Sequence, residues 1–387
     1  MNSKQFETAK MCLKVVTPIN TADGIVLGAK DYLYDSSRQK VYFLNLHQWH
    51  MFIYKHMLLE KYESYLANFR DKQSLLEWLR MQGYDIDDVR TVITSEAQAT
   101  VNLMDNEKKK TLNDINRHIQ QPDGSLYVPG SSIKGVFRTA ILYSLLQKRQ
   151  DIKVKYWRQI QEKISSNYFK PYRDFNKLIS DLENELLHTL RLVDGDIHSN
   201  NAVYSAMRGL QVSDTYASRN MQTAILQKVD GGFDKFGKAS PKKLPIFREC
   251  MLPKAELFFD VKIEKAVMST IGINTVDDLL KATHSFFAAV TDLLQQAFEK
   301  EYQEAFQGVA AGNMFLGGNT GFLSKTLLAM LAPDKDTAKN TIKVLLDKSF
   351  KNHKHLLRDK IIAPRTLKCT NYNGKLMLMG VAEVRKV

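Results

Sequence analysis

The stretch Val128-Pro129-Gly130-Ser131-Ser132-Ile133-Lys134-Gly135-Val136-Phe137-Arg138-Thr139-Ala140 constrains local structure more than any other part of this chain. Pro129-Gly130 sets a turn, and Ser131 or Ser132 suits a helix N-cap. Ile133, Val136, Phe137, Ala140 and Ile141 then recur at the i, i+3, i+4, i+7, i+8 spacing of a buried helical face, so a helix is expected over about 131–148. Lys134 and Arg138 fall one turn apart on a common face. A helix start offers unpaired N–H groups and the positive end of the helix dipole, which with two cations suit a phosphate. Gly130, Ser131, Ser132, Lys134 and Arg138 are therefore the first candidate anion-binding residues.

Strands and helices alternate around this turn. Apolar or alternating runs predict strands over 10–16, 40–44, 209–213, 221–229, 255–264 and 376–384. The clearest is 255–264, where Leu257, Phe259, Val261 and Ile263 alternate with Phe258, Asp260, Lys262 and Glu264. Helical spacing appears over 48–69, 74–81, 276–306 and 323–331. Residues 102–121, with Lys108-Lys109-Lys110, read as a polar surface segment. Residues 150–200 are charged and helical without a strong core pattern, which predicts an insertion projecting from the first half. A boundary near residue 215 divides the chain into 1–215 and 216–387, each mixing strands and helices in the manner of a ferredoxin-like module of an α+β fold. No internal sequence repeat marks a duplication.

Charge narrows the class of partner. The chain of 387 residues carries a net charge of +13, concentrated over 108–177, with 15 basic and 5 acidic residues, and 335–387, with 13 and 4. Segregated positive charge suits a polyanion, although an ordinary basic surface has the same composition. Cys12, Cys250 and Cys369 are far apart and form no C-x-x-C pair, so neither a disulfide framework nor a zinc module is indicated, and a reducing cytoplasm is expected. No signal-like start or membrane-length apolar run is visible.

Three further places invite chemistry. Residues 228–245 combine two adjacent glycines, Phe233 and Phe236 with Lys235 and Lys238, a basic loop whose rings either stack on bases or pack locally. Gly317-Gly318-Asn319-Thr320-Gly321 precedes Lys325, but a P-loop requires glycine where Ser324 and Asn319 stand. A glycine-rich turn still presents N–H groups to an anion, so Gly317, Gly318, Asn319, Gly321 and Lys325 are phosphate candidates without ATP; the alternative is a tight turn that seats a helix on the sheet. Neither the histidines at 47, 50, 353 and 355 nor the loop acids Asp23 and Asp31 have an identifiable partner, so no catalytic residue, metal or cofactor is assigned.

The 129–138 motif resembles the signature of the RAMP superfamily of CRISPR proteins, Pro-Gly-Ser-Ser-[apolar]-Lys-Gly-x-[apolar]-Arg. Leu13 to Ile19 with Gly24, Gly28 and 31–35, and then Gln211 to Thr215, look like segments of type III backbone subunits. Residues 316–326 and Pro364-Arg365-Thr366-Leu367-Lys368 are similar to the terminal RAMP subunit of the type III-A (Csm) complex. That resemblance implies a duplicated RRM-like architecture with helical insertions. It also implies a non-catalytic subunit that binds the 3′ region of crRNA, caps the other RAMP backbone subunits and supports 3′-end maturation, with trimming done by recruited host nucleases. The residues 228–245 would then be the family's thumb-like hairpin. The alternative within the same superfamily is a metal-independent endoribonuclease acting on precursor crRNA.

Overall fold

A computed structural model describes all residues except 1–4, 69–72, 101–111, 113, 167, 192–200 and 218–220; Lys108, Lys109 and Lys110 fall outside them. The first part runs β1 (Phe6–Val15), β2 (Ala22–Leu27), β3 (Tyr32–Asp35), β4 (Lys40–Leu44), α1 (Leu46–Lys55), α2 (Leu59–Ala67), α3 (Leu75–Met81), β5 (Ile93–Thr100), β6 (Ile115–His118), α4 (Gly130–Lys148), α5 (Gln150–Ser165) and α6 (Pro171–Leu187). Then come β7 (Leu210–Val212), β8 (Tyr216–Ala217), β9 (Thr223–Gly231), β10 (Lys242–Met251), β11 (Glu256–Glu264), α7 (Lys265–Met268) and α8 (Val276–Tyr302). The last part holds β12 (Met314–Phe315), α9 (Leu328–Leu331), α10 (Lys335–Ser349), α11 (His355–Arg358), β13 (Leu367–Tyr372), β14 (Lys375–Leu378) and β15 (Val381–Lys386).

These strands form two sheets, and the fold is α+β. One has the order β12-β15-β1-β11-β7, with β8 also on β11. The other has the order β2-β6-β10-β9-β5-β4-β3, with β13 on β9 and β14 on β13. Both sheets take strands from either side of residue 215. In the first, β1 lies antiparallel between β11 and β15, placing Leu13 opposite both Leu257 and Val384. Alternation puts Met11, Leu13 and Val15 inside with Leu257, Phe259, Val261 and Ile263. Against them pack Ile133, Phe137 and Ile141 of α4 and Phe286, Phe287 and Val290 of α8.

The segment expected to project does not. Ile152, Tyr156, Ile160 and Ile164 of α5, with Leu178, Leu182 and Leu186 of α6, are buried in this same core. Each stripe advances by four residues along one helix face. Two further departures are local. The expected helix over 48–69 breaks between α1 and α2 at Met57, whose φ is 54°. The expected closing strand divides into β14 and β15 at Gly380, where a β-carbon would meet Leu316 O at 2.5 Å.

Candidate nucleic-acid interface

The signature turn is fastened from within the protein. A β-carbon on Gly130 would lie 2.4 Å from Val212 O and 2.6 Å from Ser213 O, so only glycine allows this approach. Gly130 N–H donates to Asp214 Oδ1 at 2.7 Å, and Val128 N–H to Thr215 Oγ1 at 2.7 Å. The carboxylate at this helix start is therefore the protein's own. Lys134 is half-buried and donates to Leu210 O at 2.6 Å, and burial pushes its pKa down. Arg138 faces outward, 3.7 Å from Glu183 Oε2 on α6. Ser131 is exposed and Ser132 partly so. Sequence spacing put Lys134 and Arg138 on one face; the structure gives the first an internal carbonyl and the second a weak surface ion pair.

The denser concentration of charge lies around the glycine loop. Gly317 has a φ of 87° and touches Asn20, whose carbonyl would be 2.4 Å from a β-carbon there. Gly318 N–H donates to that carbonyl at 2.7 Å. Buried Asn20 ties two strands, β6 and β10, to the link between β1 and β2, donating through Nδ2 to Glu249 O at 2.8 Å and Arg117 O at 3.3 Å while its Oδ1 accepts from Arg248 Nη1 at 3.2 Å. Arg248 on β10 comes close to the loop, since a β-carbon on Gly318 would lie 3.1 Å from its Nη1. Lys368 on β13 borders Gly321 and shares Asp230 with Lys228, at 3.0 and 3.6 Å.

Four cations, Lys228, Arg248, Lys325 and Lys368, thus gather around the glycine loop, and among the described residues only Lys228 and Lys368 of the four meet a carboxylate, that of Asp230. Among the described residues Arg248 has no carboxylate partner, and its Nε is buried without a hydrogen bond. Asn319 Nδ2 is likewise buried and unpaired. Burial lowers the pKa of Lys228, Arg248 and Lys325, and Arg248 lowers the two lysines further. Desolvating like charges together disfavours their charged forms, so this cleft raises the energy of the free protein and favours an incoming anion. Of these residues the sequence singled out Lys325, Asn319 and the glycines. Arg248, Lys228 and Asn20 were missed, and their signal was polar side chains within or beside otherwise apolar strands.

The hairpin joining β9 to β10 has Lys228 at its base and Lys235 and Lys238 in its tip. Its two rings are not equivalent. Phe233 stacks on Phe298 of α8 with ring centroids 5.3 Å apart, whereas Phe236 is 76% exposed, with Lys235 Nζ 4.9 Å from its centroid. Asp234 Oδ1 orders the tip by accepting from Phe236 N and Lys238 N, and Tyr302 OH bonds Gly232 O and Ser240 N. Of the expected stacking pair, one ring is core and one is presented.

Two buried histidines are held in internal hydrogen bonds, whereas His47, His50 and His353 are exposed. His355 is buried and bonds Asp359 Oδ2 at 2.7 Å, and Arg365 Nη1 holds the other carboxylate oxygen at 2.7 Å. The sequence offered His355 no partner, and the structure supplies one at i+4. His118 is buried, accepting from Thr21 N at Nδ1 and facing Tyr127 O with Nε2. Among the described residues no helix is long and apolar enough to cross a membrane.

A pair of sheets flanked by helices, a Pro-Gly-Ser-Ser turn and a cationic glycine loop point to the class: the chain belongs to the RAMP superfamily, whose family model matches residues 12–322. Within it, the chain is similar along its length to the CRISPR system Csm5 proteins. It is 26% identical to that of Mycobacterium tuberculosis over 98% of this chain and 97% of the relative, and 22% identical to that of Enterococcus italicus over 88% and 85%. Two solved structures share the fold. A chain of the cryo-EM structure of the Csm–crRNA–target RNA ternary complex of a type III-A system aligns with a TM-score of 0.67 at 17% identity, covering 98% of this chain and all of that one. The crystal structure of T. onnurineus Csm5 aligns with a TM-score of 0.60 at 17% identity over 96% and 99%.

Proposed function

We propose that this chain is a crRNA-binding structural subunit of a type III-A CRISPR complex, standing at the 3′ end of the guide, supporting its maturation and packing on the other RAMP backbone subunits. Arg248 carries the reading. A half-buried guanidinium without a carboxylate, beside Lys325 and a glycine loop with an unpaired amide, is a costly arrangement unless an anion completes it. A phosphate backbone is such an anion, and contacts of this kind position RNA without reading its sequence. Exposed Lys235, Lys238 and Phe236 extend the surface along the hairpin, and exposed Arg138 lies by Glu183, which shares a cavity lining with Lys325. Similarity to Csm5 proteins along most of the chain, and the fold shared with a chain of the Csm complex of a type III-A system, support the reading. In this reading trimming falls to recruited nucleases, and the buried, hydrogen-bonded His118 and His355 take no part in it.

The test uses two unrelated guide sequences titrated against the purified chain at several salt concentrations, and labelled precursor RNA incubated with it in EDTA. Binding that weakens steeply with salt, is similar for both guides and leaves the precursor intact is expected. Discrete cleavage products would instead establish a metal-independent endoribonuclease.

A further inference from the structure

Next to the cationic cleft is a cavity of about 440 Å³ between α4, α6 and the turn that follows the glycine loop. Its volume lies within the range of about 300–1,000 Å³ typical of small-molecule sites. Leu142 and Leu327 form a buried floor. Phe175 and Phe322, each only partly covered by the core, supply aromatic walls from two elements. Lys325 stands at the side shared with the cleft, and among the described residues its ammonium meets no acceptor. Glu183 lines the same cavity, and its closest cation, Arg138 Nη1, is 3.7 Å away, beyond hydrogen-bond distance.

We infer that this cavity receives one nucleobase of the bound RNA, a base bearing an exocyclic amine, while its phosphate stays outside on Lys325 and the glycine turn. The inference rests on the RNA-binding reading above. Aromatic walls and an apolar floor fit the faces of any base, as stacking is indifferent to sequence. Glu183 adds the discrimination. A carboxylate accepts hydrogen bonds from the amine of adenine, cytosine or guanine, whereas uracil presents carbonyl oxygens where those amines stand. Lys325 faces both cavity and cleft, so one lysine links base capture to backbone capture.

The experiment measures affinity of the full chain for a short single-stranded RNA in which each position in turn is made abasic, and then uracil. At one position, base removal is expected to weaken binding about 5- to 150-fold, the equivalent of one lost stacking interaction. Uracil at that position should bind more weakly than cytosine, and Glu183→Gln should narrow that difference. Ser180→Trp, replacing an exposed residue that lines the cavity, should bind intact RNA as weakly as the wild type binds the abasic strand, with an unchanged melting temperature. A flat abasic scan on a wild-type chain that still binds RNA in a salt-dependent way overturns the base pocket alone. A wild-type chain that binds no RNA at any salt overturns both the pocket and the reading beneath it.

Discussion

Arg248 and Glu249 are neighbours on β10 whose side chains leave opposite faces of the strand, and they should respond oppositely to loss of charge. Arg248→Met removes a half-buried cation with an unpaired Nε, an arrangement that costs about 1–3 kcal/mol; it also removes one hydrogen bond to Asn20 Oδ1, worth a similar amount. The two terms offset, so the stability of the isolated chain should change by no more than about 1 kcal/mol. RNA binding should weaken, and the slope of log Kobs against log salt should become shallower by about 0.7, one phosphate contact on a single strand. Glu249 is 1% exposed and serves Arg117 Nε at 3.2 Å, His118 N at 3.2 Å and Thr223 Oγ1 at 3.2 Å. Glu249→Gln strands Arg117 and should cost about 3–5 kcal/mol. Urea unfolding and salt titrations of RNA binding on both variants read the two quantities separately. If Arg248→Met unfolds as readily as Glu249→Gln, or binds RNA with an unaltered salt slope, the guanidinium is structural and the reasoning fails.

The signature helix should separate in the same way: Phe137→Ala, at a fully buried position, should lose about 3–5 kcal/mol by denaturant unfolding, while Arg138→Ala should stay within about 0.5 kcal/mol and lose RNA affinity. Burial pushes the pKa of His118 from 6.5 down to about 4, so the unfolded chain takes up a proton in this window that the folded chain refuses. Stability should therefore fall as pH drops from 6.5 towards 4, by roughly 3 kcal/mol in total, and His118→Gln should flatten that part of the curve measured by thermal melts. Truncation before Val381 deletes β15, the antiparallel partner of β1, with buried Val381, Ala382 and Val384; the loss of about 5 kcal/mol should broaden or abolish the cooperative melt followed by circular dichroism.

Local pattern carried much of the fold. The helix at 130–148 follows from a turn and a 3.6-residue apolar period, and β11 from strict alternation, because each feature involves neighbours in sequence. β6 could not be read that way: Ile115-Asn116-Arg117-His118 holds one aliphatic residue, yet His118 is buried and Asn116 donates to Phe247 O at 3.2 Å across the sheet. Burial there depends on a partner strand more than a hundred residues away. α5 misled for a related reason. Its inward face is one residue in four, including Tyr156, set among lysines and arginines, so its average composition described the outer faces and hid the inner one.

The candidate site was legible in its glycines and Lys325 and hidden in its remaining cations, and the cause is topological. Glycine clusters declare a turn locally, whereas Lys228, Arg248 and Lys368 become neighbours only when β9 pairs with β10 on one side and β13 on the other. Asn20, in the link between β1 and β2, then closes the group by accepting Gly318 N–H and Arg248 together. Residues from four distant segments converge on a place where the free protein holds like charges close and leaves donors unpaired. Core packing alone would disfavour that convergence, since each desolvated cation raises the energy of the folded state. The sheets hold it in place regardless, through the main-chain ladders of β9, β10 and β13, so the cleft meets an anion already formed and binding spends little on ordering it.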